Sequence, residues 1–411
     1  MEEKTVNPTY STSDPGAGKK LKGSSDAESY RSKANHLLNS GRYRQACLFF
    51  EKAVKLDKSN YRDFLGMGLA LSGGGQRQKA LEYFEKAFAL QPGDPEVCTN
   101  LIITQLILNK VRAALAVLKN SRSEIPYGVA TEVVRRVALS QVLVRIPAVK
   151  SMAESFRQLL SYLEIPMDPA LLATHTFANL LLPVVPWKEK ALDRCSDQEL
   201  ERWIFWDGLE SLQKYSETGR GVILLHGHLV GQHVAALGLV RKGFKMYSMQ
   251  VGNRQANFGV TASKAINVIE VPEGADFLLK QVYKAQKALK SGGVLQMAGD
   301  GNYGRSGVTV PFLGSSREFK TGFAELALNT NTPVLPLFTS INLSGQITVN
   351  ILPELGPGDE HMDRTARVES MVRQFAACLE GWWRTHPSDI THYTVARFVA
   401  QAGLTEAGKN A

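Results

Sequence analysis

The sequence predicts two folds in one chain: an all-α repeat region in the amino-terminal third, and an α/β domain built on a mostly parallel sheet flanked by helices in the carboxyl-terminal half. Three observations lead there. Small and aromatic residues recur every 34 positions between 27 and 94. From residue 221 onward, short apolar runs alternate with stretches of helical periodicity. Three histidines crowd into GVILLHGHLVGQHVAALGL, residues 221–239, where an apolar run ends and a helical pattern begins. Open α/β sheets place their sites at such strand ends.

At 411 residues and 44% hydrophobic composition, the chain has room for two or three packed domains. Its formal charge of +9 comes from 48 basic and 39 acidic residues spread along the sequence. No dense arginine tract or RNA-binding aromatic signature accompanies that charge, so nucleic acid is not an expected partner. Anionic lipid headgroups and acidic carrier proteins remain compatible with it. Cys47, Cys98, Cys195 and Cys378 lie far apart and read as reduced thiols of a cytoplasmic protein. The first residues lack the apolar core of a signal peptide, and no run reaches the ~20 apolar residues that span a bilayer. The best candidate, FANLLLPVVPW at 177–187, is short and carries two prolines. Membrane contact is therefore expected to be peripheral, at the inner face of the cell membrane.

Taken in order, residues 1–26 are rich in Ser, Thr, Gly, Lys and Asp and read as a disordered leader. Tyr30, Ala34, Leu37, Gly41, Tyr43, Ala46, Phe50 and Ala53 are then matched by Phe64, Gly68, Leu71, Gly75, Arg77, Ala80, Phe84 and Ala87. This resembles tetratricopeptide repeats, in which small residues let paired helices cross closely while large ones fill the gap. Two repeats cover 27–60 and 61–94, and a third at 95–128 keeps Leu101, Ala114 and Leu118. Such an array needs a cap, and the helical stretch 129–165 is expected to supply it, followed by a proline-punctuated connector from 166, the two together filling 129–199. The repeats read as a docking surface for a protein partner or for the second domain. Ser196 and Glu199 form a capping box expected to open a helix running through Tyr215. Strands are expected at 221–225, 244–251, 265–271, 293–298, 308–312, 334–340 and 346–352, with a short tail at 401–411.

His228 is followed by LVGQH, which places His233 in the first turn of the next helix. From here residues 200–400 resemble the bacterial lipid A late acyltransferases of the lysophospholipid acyltransferase superfamily. WDGLESL at 206–212 resembles the segment before the first strand, and GRGVILLHGHLVGQH the strand with its H-x-x-x-x-D/E motif. GGVLQMAGDGNYG at 292–304 resembles a strand ending in D-x-x-x-G. VPFLG at 310–314, Thr321-Gly322, TPVLPLF at 332–338 and GWWRTHPSDITHYTVARF at 381–398 follow in the family's order. The resemblance implies an α/β acyltransferase domain that moves a fatty acyl group from an acyl carrier protein or CoA thioester to a hydroxyl, or less often an amine, of a lipid or glycolipid. It implies no cofactor beyond that donor. His228 is then the candidate general base, since neutral imidazole suits proton removal near pH 7. The following helix amino terminus is expected to disfavour its imidazolium.

The sequence departs from the motif at 233, where a histidine stands in place of the carboxylate. Three readings stay open: Asp300 supplies the charge from a neighbouring strand end, the histidines act alone on an easier acceptor, or the domain is a weak or inactive scaffold that binds acyl carrier or lipid. A zinc site at His226, His228 and His233 is weaker, because no clear second shell accompanies the histidines. His226 reads as a hydrogen-bonded core residue. Arg254, Asn302, Gly304 and Arg305 are candidate substrate contacts, the last three with Asp300 on a glycine-rich loop. Trp382, Trp383 and Tyr393 suit either a membrane interface or core packing.

Overall fold

The computed structural model describes residues 15–120, 125–139, 147–184, 195–251, 265–271, 279–301, 304, 306–359 and 361–404. The chain divides into two compact units, with the boundary between Ile125 and Pro126.

The first unit is a series of antiparallel helix pairs. Helices α1 (Pro15–Asn39) and α2 (Tyr43–Leu56) form the first, α3 (Tyr61–Gly73) and α4 (Arg77–Leu90) the second, α5 (Pro95–Ile107) and α6 (Val111–Asn120) the third. The repeat pattern shows why they pair. Ala46, Phe50 and Ala53 are buried on α2, as are Ala80, Phe84 and Ala87 on α4. A side chain at Gly66 would begin 2.2 Å from the Phe50 ring, and one at Gly68 would begin 2.5 Å from Phe84. Each pair turns through a left-handed residue at the repeat spacing: Gly41 at φ 71°, Gly75 at 78°, and Asn109 at 57°. Asparagine tolerates that region better than most residues, which keeps the third turn in place where the other markers fade. The leader was expected to extend to residue 26, but α1 begins at Pro15. A proline at a first helical position is pre-set for the helix, and no second proline follows to break it.

The second unit holds more than the sequence reading gave it. Helices α7 (Tyr127–Leu139), α8 (Pro147–Tyr162) and α9 (Pro169–Val184), expected to cap the repeats and connect onward, belong with the α/β domain. Phe156, Leu159 and Leu160 of α8 are buried in the same core as strand residues Ile223, Leu225 and Leu295. The Tyr127 hydroxyl donates to the Gly345 carbonyl at 2.8 Å, and that of Tyr162 donates to Leu313 O at 2.7 Å. Tyr127 also packs edge-on against Trp203.

Seven strands form the sheet: β1 (Ile204–Asp207), β2 (Val222–His226), β3 (Met246–Val251), β4 (Asn267–Val271), β5 (Val294–Ala298), β8 (Val334–Ile341) and β9 (Ile347–Ile351), in the order β1-β9-β8-β2-β5-β3-β4. The five from β8 to β4 run parallel, while β9 is antiparallel to β8 and parallel to β1. Strands β6 (Gly307–Phe312) and β7 (Ser315–Lys320) form a separate antiparallel hairpin. Covering helices include α10 (Leu209–Glu217), α11 (Gln232–Arg241), α12 (Leu279–Lys290), α13 (Gly322–Thr330), α14 (Arg364–Thr385) and α15 (His392–Gln401). The capping box at Ser196 is present, yet its helix stops after one turn at Leu200. Edge strand β1 and the separate α10 take the remainder of the helix expected there.

Candidate active site

The site is fixed by strand register. In the parallel pair β2–β5, Val222 stands opposite Val294 and His226 opposite Ala298. The chain leaves these strands through Gly227 and Gly299, and α14 lies against both exits. A Cβ at 227 would come within 2.6 Å of Leu379 Cδ1, and one at 299 within 2.4 Å of the Phe375 ring. Two residues past the strand ends, the same offset places His228 beside Asp300. His228 Nδ1 lies 2.6 Å from Asp300 Oδ1, and the His228 backbone N–H donates to Oδ2 at 3.0 Å. A carboxylate only accepts, so Nδ1 carries the proton and Nε2 is left as the acceptor nitrogen.

A second layer holds this loop from the other side. Val230 N–H donates to Asp389 O at 2.7 Å and Thr391 N–H to His228 O at 3.2 Å, around an antiparallel bridge between Leu229 and Ile390. Helix α9 grips that strap in turn. Asn179 donates through Nδ2 to Ile390 O at 3.2 Å and accepts from His392 N–H at 2.7 Å. His175, stacked on Phe156 at 3.8 Å, faces Ser388 O.

The exposures divide the labour. The His228 side chain retains 45% of its exposure and Asp300 only 1%. Burial alone would raise the Asp300 pKa, but the adjacent His228 charge, the hydrogen bonds from it and the Arg317 charge outweigh burial and hold the carboxyl at about 2. Asp300 in turn raises the His228 pKa against burial. This overrides the expected helix-terminus effect: α11 starts only at Gln232, behind Gly231, while the carboxylate touches the ring. His226 is different, because burial takes it down to about 4 and its Nδ1 faces Gly227 O at 3.0 Å. Among the described residues, no group of three His, Cys, Asp or Glu is arranged to hold a metal.

His228 and Asp300 open onto a cleft of about 710 Å³, also lined by His233, Arg317, Tyr393 and Arg397. Arg317 lies over the rings of Phe312 and Phe319 and donates to the Asp300 carbonyl at 3.1 Å. A second, smaller cavity of about 210 Å³ is largely apolar, walled by Met249, Val282, Ala285, Met297 and Leu326 and reaching Gly304.

A protein-family comparison bears on this arrangement. The family model described as bacterial lipid A biosynthesis acyltransferase matches residues 177–389, just over half of the chain. The chain belongs to this acyltransferase family. The match takes in His228, Asp300 and the Asn179 that holds the strap, and ends at Asp389. Tetratricopeptide repeats match at 27–60 and 64–94. Among solved structures, the Yersinia enterocolitica type III secretion chaperone SycD, in complex with a peptide of the translocator YopD, is 20% identical over 31% of this chain and 83% of that one, with a TM-score of 0.22. YrrB, a TPR protein with an unusual peptide-binding site, is 20% identical over 44% of this chain and 88% of that one, with a TM-score of 0.27. No curated protein matches the chain.

Of the residues singled out from the sequence, His228, His233 and Asp300 come together at the cleft, and Gly304 lines the apolar cavity instead. Arg254, Asn302 and Arg305 lie outside the described residues. Trp383 is buried against Phe312 and Phe398, and Trp382 stacks on His386, so these two tryptophans pack inside the unit. Tyr393 is 77% exposed at the cleft. The sequence reading missed Arg317, Arg397 and the α9 pair His175 and Asn179. Arg317 sits in a polar strand whose pattern gives no core signal, and the α9 residues act only through a long-range turn.

Proposed function

We propose that the α/β unit transfers a fatty acyl group from an acyl carrier protein or CoA thioester to a hydroxyl, or an amine, of a lipid or glycolipid acceptor. The observation that carries this reading is the 2.6 Å contact of His228 Nδ1 with buried Asp300, beneath a ring that opens onto a large cleft. His228 Nε2 takes the acceptor proton as the oxygen attacks the thioester carbonyl. The imidazolium then returns that proton to the departing thiolate as the tetrahedral intermediate collapses, so no acyl-enzyme is required. Asp300 holds the tautomer and stabilises the transient cation. Arg317 and Arg397 face the same cleft and supply positive charge toward the developing oxyanion. His233, in place of the family's carboxylate, lines the same cleft. The protein works at the inner face of the cell membrane, with its repeats recruiting a protein partner. Among the described residues no helix is long and apolar enough to cross a membrane.

Thiol release from an acyl thioester, measured with a mixed lipid extract, tests the proposal. His228→Ala should lower turnover about a hundred- to ten-thousand-fold. Asp300→Asn should cost on the order of ten-thousand-fold, by analogy with the loss of a triad carboxylate. Equal and negligible turnover in wild type and both variants would instead favour an acyl- or lipid-binding scaffold.

A further inference from the structure

Helix α12 has the sequence LKQVYKAQKALK, with no acidic residue. Its inner side buries Gln281, Ala285, Ala288 and Leu289, and Val282 and Ala285 wall the apolar cavity that reaches Gly304. Its outer side presents Leu279, 89% exposed, and Tyr283, 66% exposed, one turn apart. Lys280, Lys284, Lys287 and Lys290 lie beside and beyond them along the same helix, all exposed. Two large apolar groups accompanied by lysines match the composition of a helix that lies in a bilayer interface. Lysine stems are apolar and can follow such groups toward the lipid while their ammonium groups stay among the phosphates.

We propose that this outer face of α12 is a docking surface for an anionic lipid bilayer. Leu279 and Tyr283 enter the headgroup boundary, and the four lysines meet lipid phosphates. An acidic protein would satisfy the charge, but the nearly naked Leu279 side chain favours hydrocarbon over a polar partner. The surface would bring bilayer lipid to the helix whose other side walls the apolar cavity. It rests on the acyl-transfer reading only for its purpose, because membrane binding is measured without turnover and the two can fail separately.

The test is flotation of the full chain with vesicles of phosphatidylcholine alone and of phosphatidylcholine mixed with phosphatidylglycerol. Binding should require the anionic lipid and weaken with salt. Lys284→Gln and Lys287→Gln should each weaken it about fivefold. Leu279→Ser with Tyr283→Ser should abolish it while leaving the melting temperature and detergent-phase turnover unchanged. The proposal is overturned by absence of vesicle binding in wild type, or by equal binding of the Leu279/Tyr283 variant. Loss of acyl carrier protein affinity in the lysine variants with vesicle binding intact would likewise overturn it and assign the face to an acidic protein.

Discussion

At the residue scale the site turns on which charges the fold imposes. Asp300 is ionised far into acid because His228 and Arg317 outweigh its burial, whereas Asp389, whose carbonyl holds Val230, is pushed up to about 8 by burial. A carboxyl raised above its unfolded value near 3.9 binds a proton in the folded state that the unfolded chain has released, so it costs stability as pH rises between the two values. Asp389→Asn should therefore show no pH-dependent gain near pH 4, a growing advantage through neutrality and a plateau above about pH 8, read from denaturant midpoints. A difference that stays flat across that range would refute the burial of this carboxyl. The same contrast shows what sequence could and could not say. His228 stood out by position, but Asp300 supplying its charge was one of three open readings of the site; choosing among them needed the β2–β5 register, which local pattern does not contain.

At the scale of elements, the dyad exists because two neighbouring strands end in glycine against one helix. Gly299→Ala would drive a methyl into Phe375, whose ring lies 2.4 Å from the new Cβ position, and should cost about 1–3 kcal/mol by overpacking. Turnover should fall as well, because Asp300 is the next residue. Helix α9 acts from further away. Asn179→Leu leaves Ile390 O and His392 N–H without their side-chain partner; hydrogen exchange at Val230 and Thr391 should accelerate and turnover should fall, whereas unchanged protection would show that α9 does not hold the strap. The apolar strands β2, β5 and β8 were legible because they are buried on both faces and read as continuous runs. Strand β1 was not, since only Ile204 of its four residues is fully buried and a real capping box precedes it. Strand β7, SSREFK, was hidden for a similar reason, with Phe319 its only fully buried residue.

For the whole molecule, the repeat spacing and the βα alternation separated the two folds, but the boundary moved. The α/β unit begins at Pro126 rather than near residue 200, because α8 buries its apolar face in its core, α9 packs against that core, and α7 packs on α9 and Trp203. A fragment spanning 126–411 should unfold in one cooperative transition, while one starting at 200 strips Phe156, Leu159 and Leu160 from that core and should fail to fold. In the repeat unit, buried Asp63 takes a bidentate pair from Arg31 at 2.6 and 2.8 Å. Arg31→Ala should destabilise that unit by about 3–5 kcal/mol, as expected when a buried charge loses its partner, and should leave the cleft chemistry intact. The most direct test of the account is the pH dependence of thioester turnover in wild type and Asp300→Asn. Because Asp300 raises the His228 pKa, the acid limb of the wild-type profile should have its midpoint above the ordinary histidine value of about 6.5, and the variant's residual activity should have a lower one. Coincident acid limbs in the two proteins would contradict a working His228–Asp300 pair.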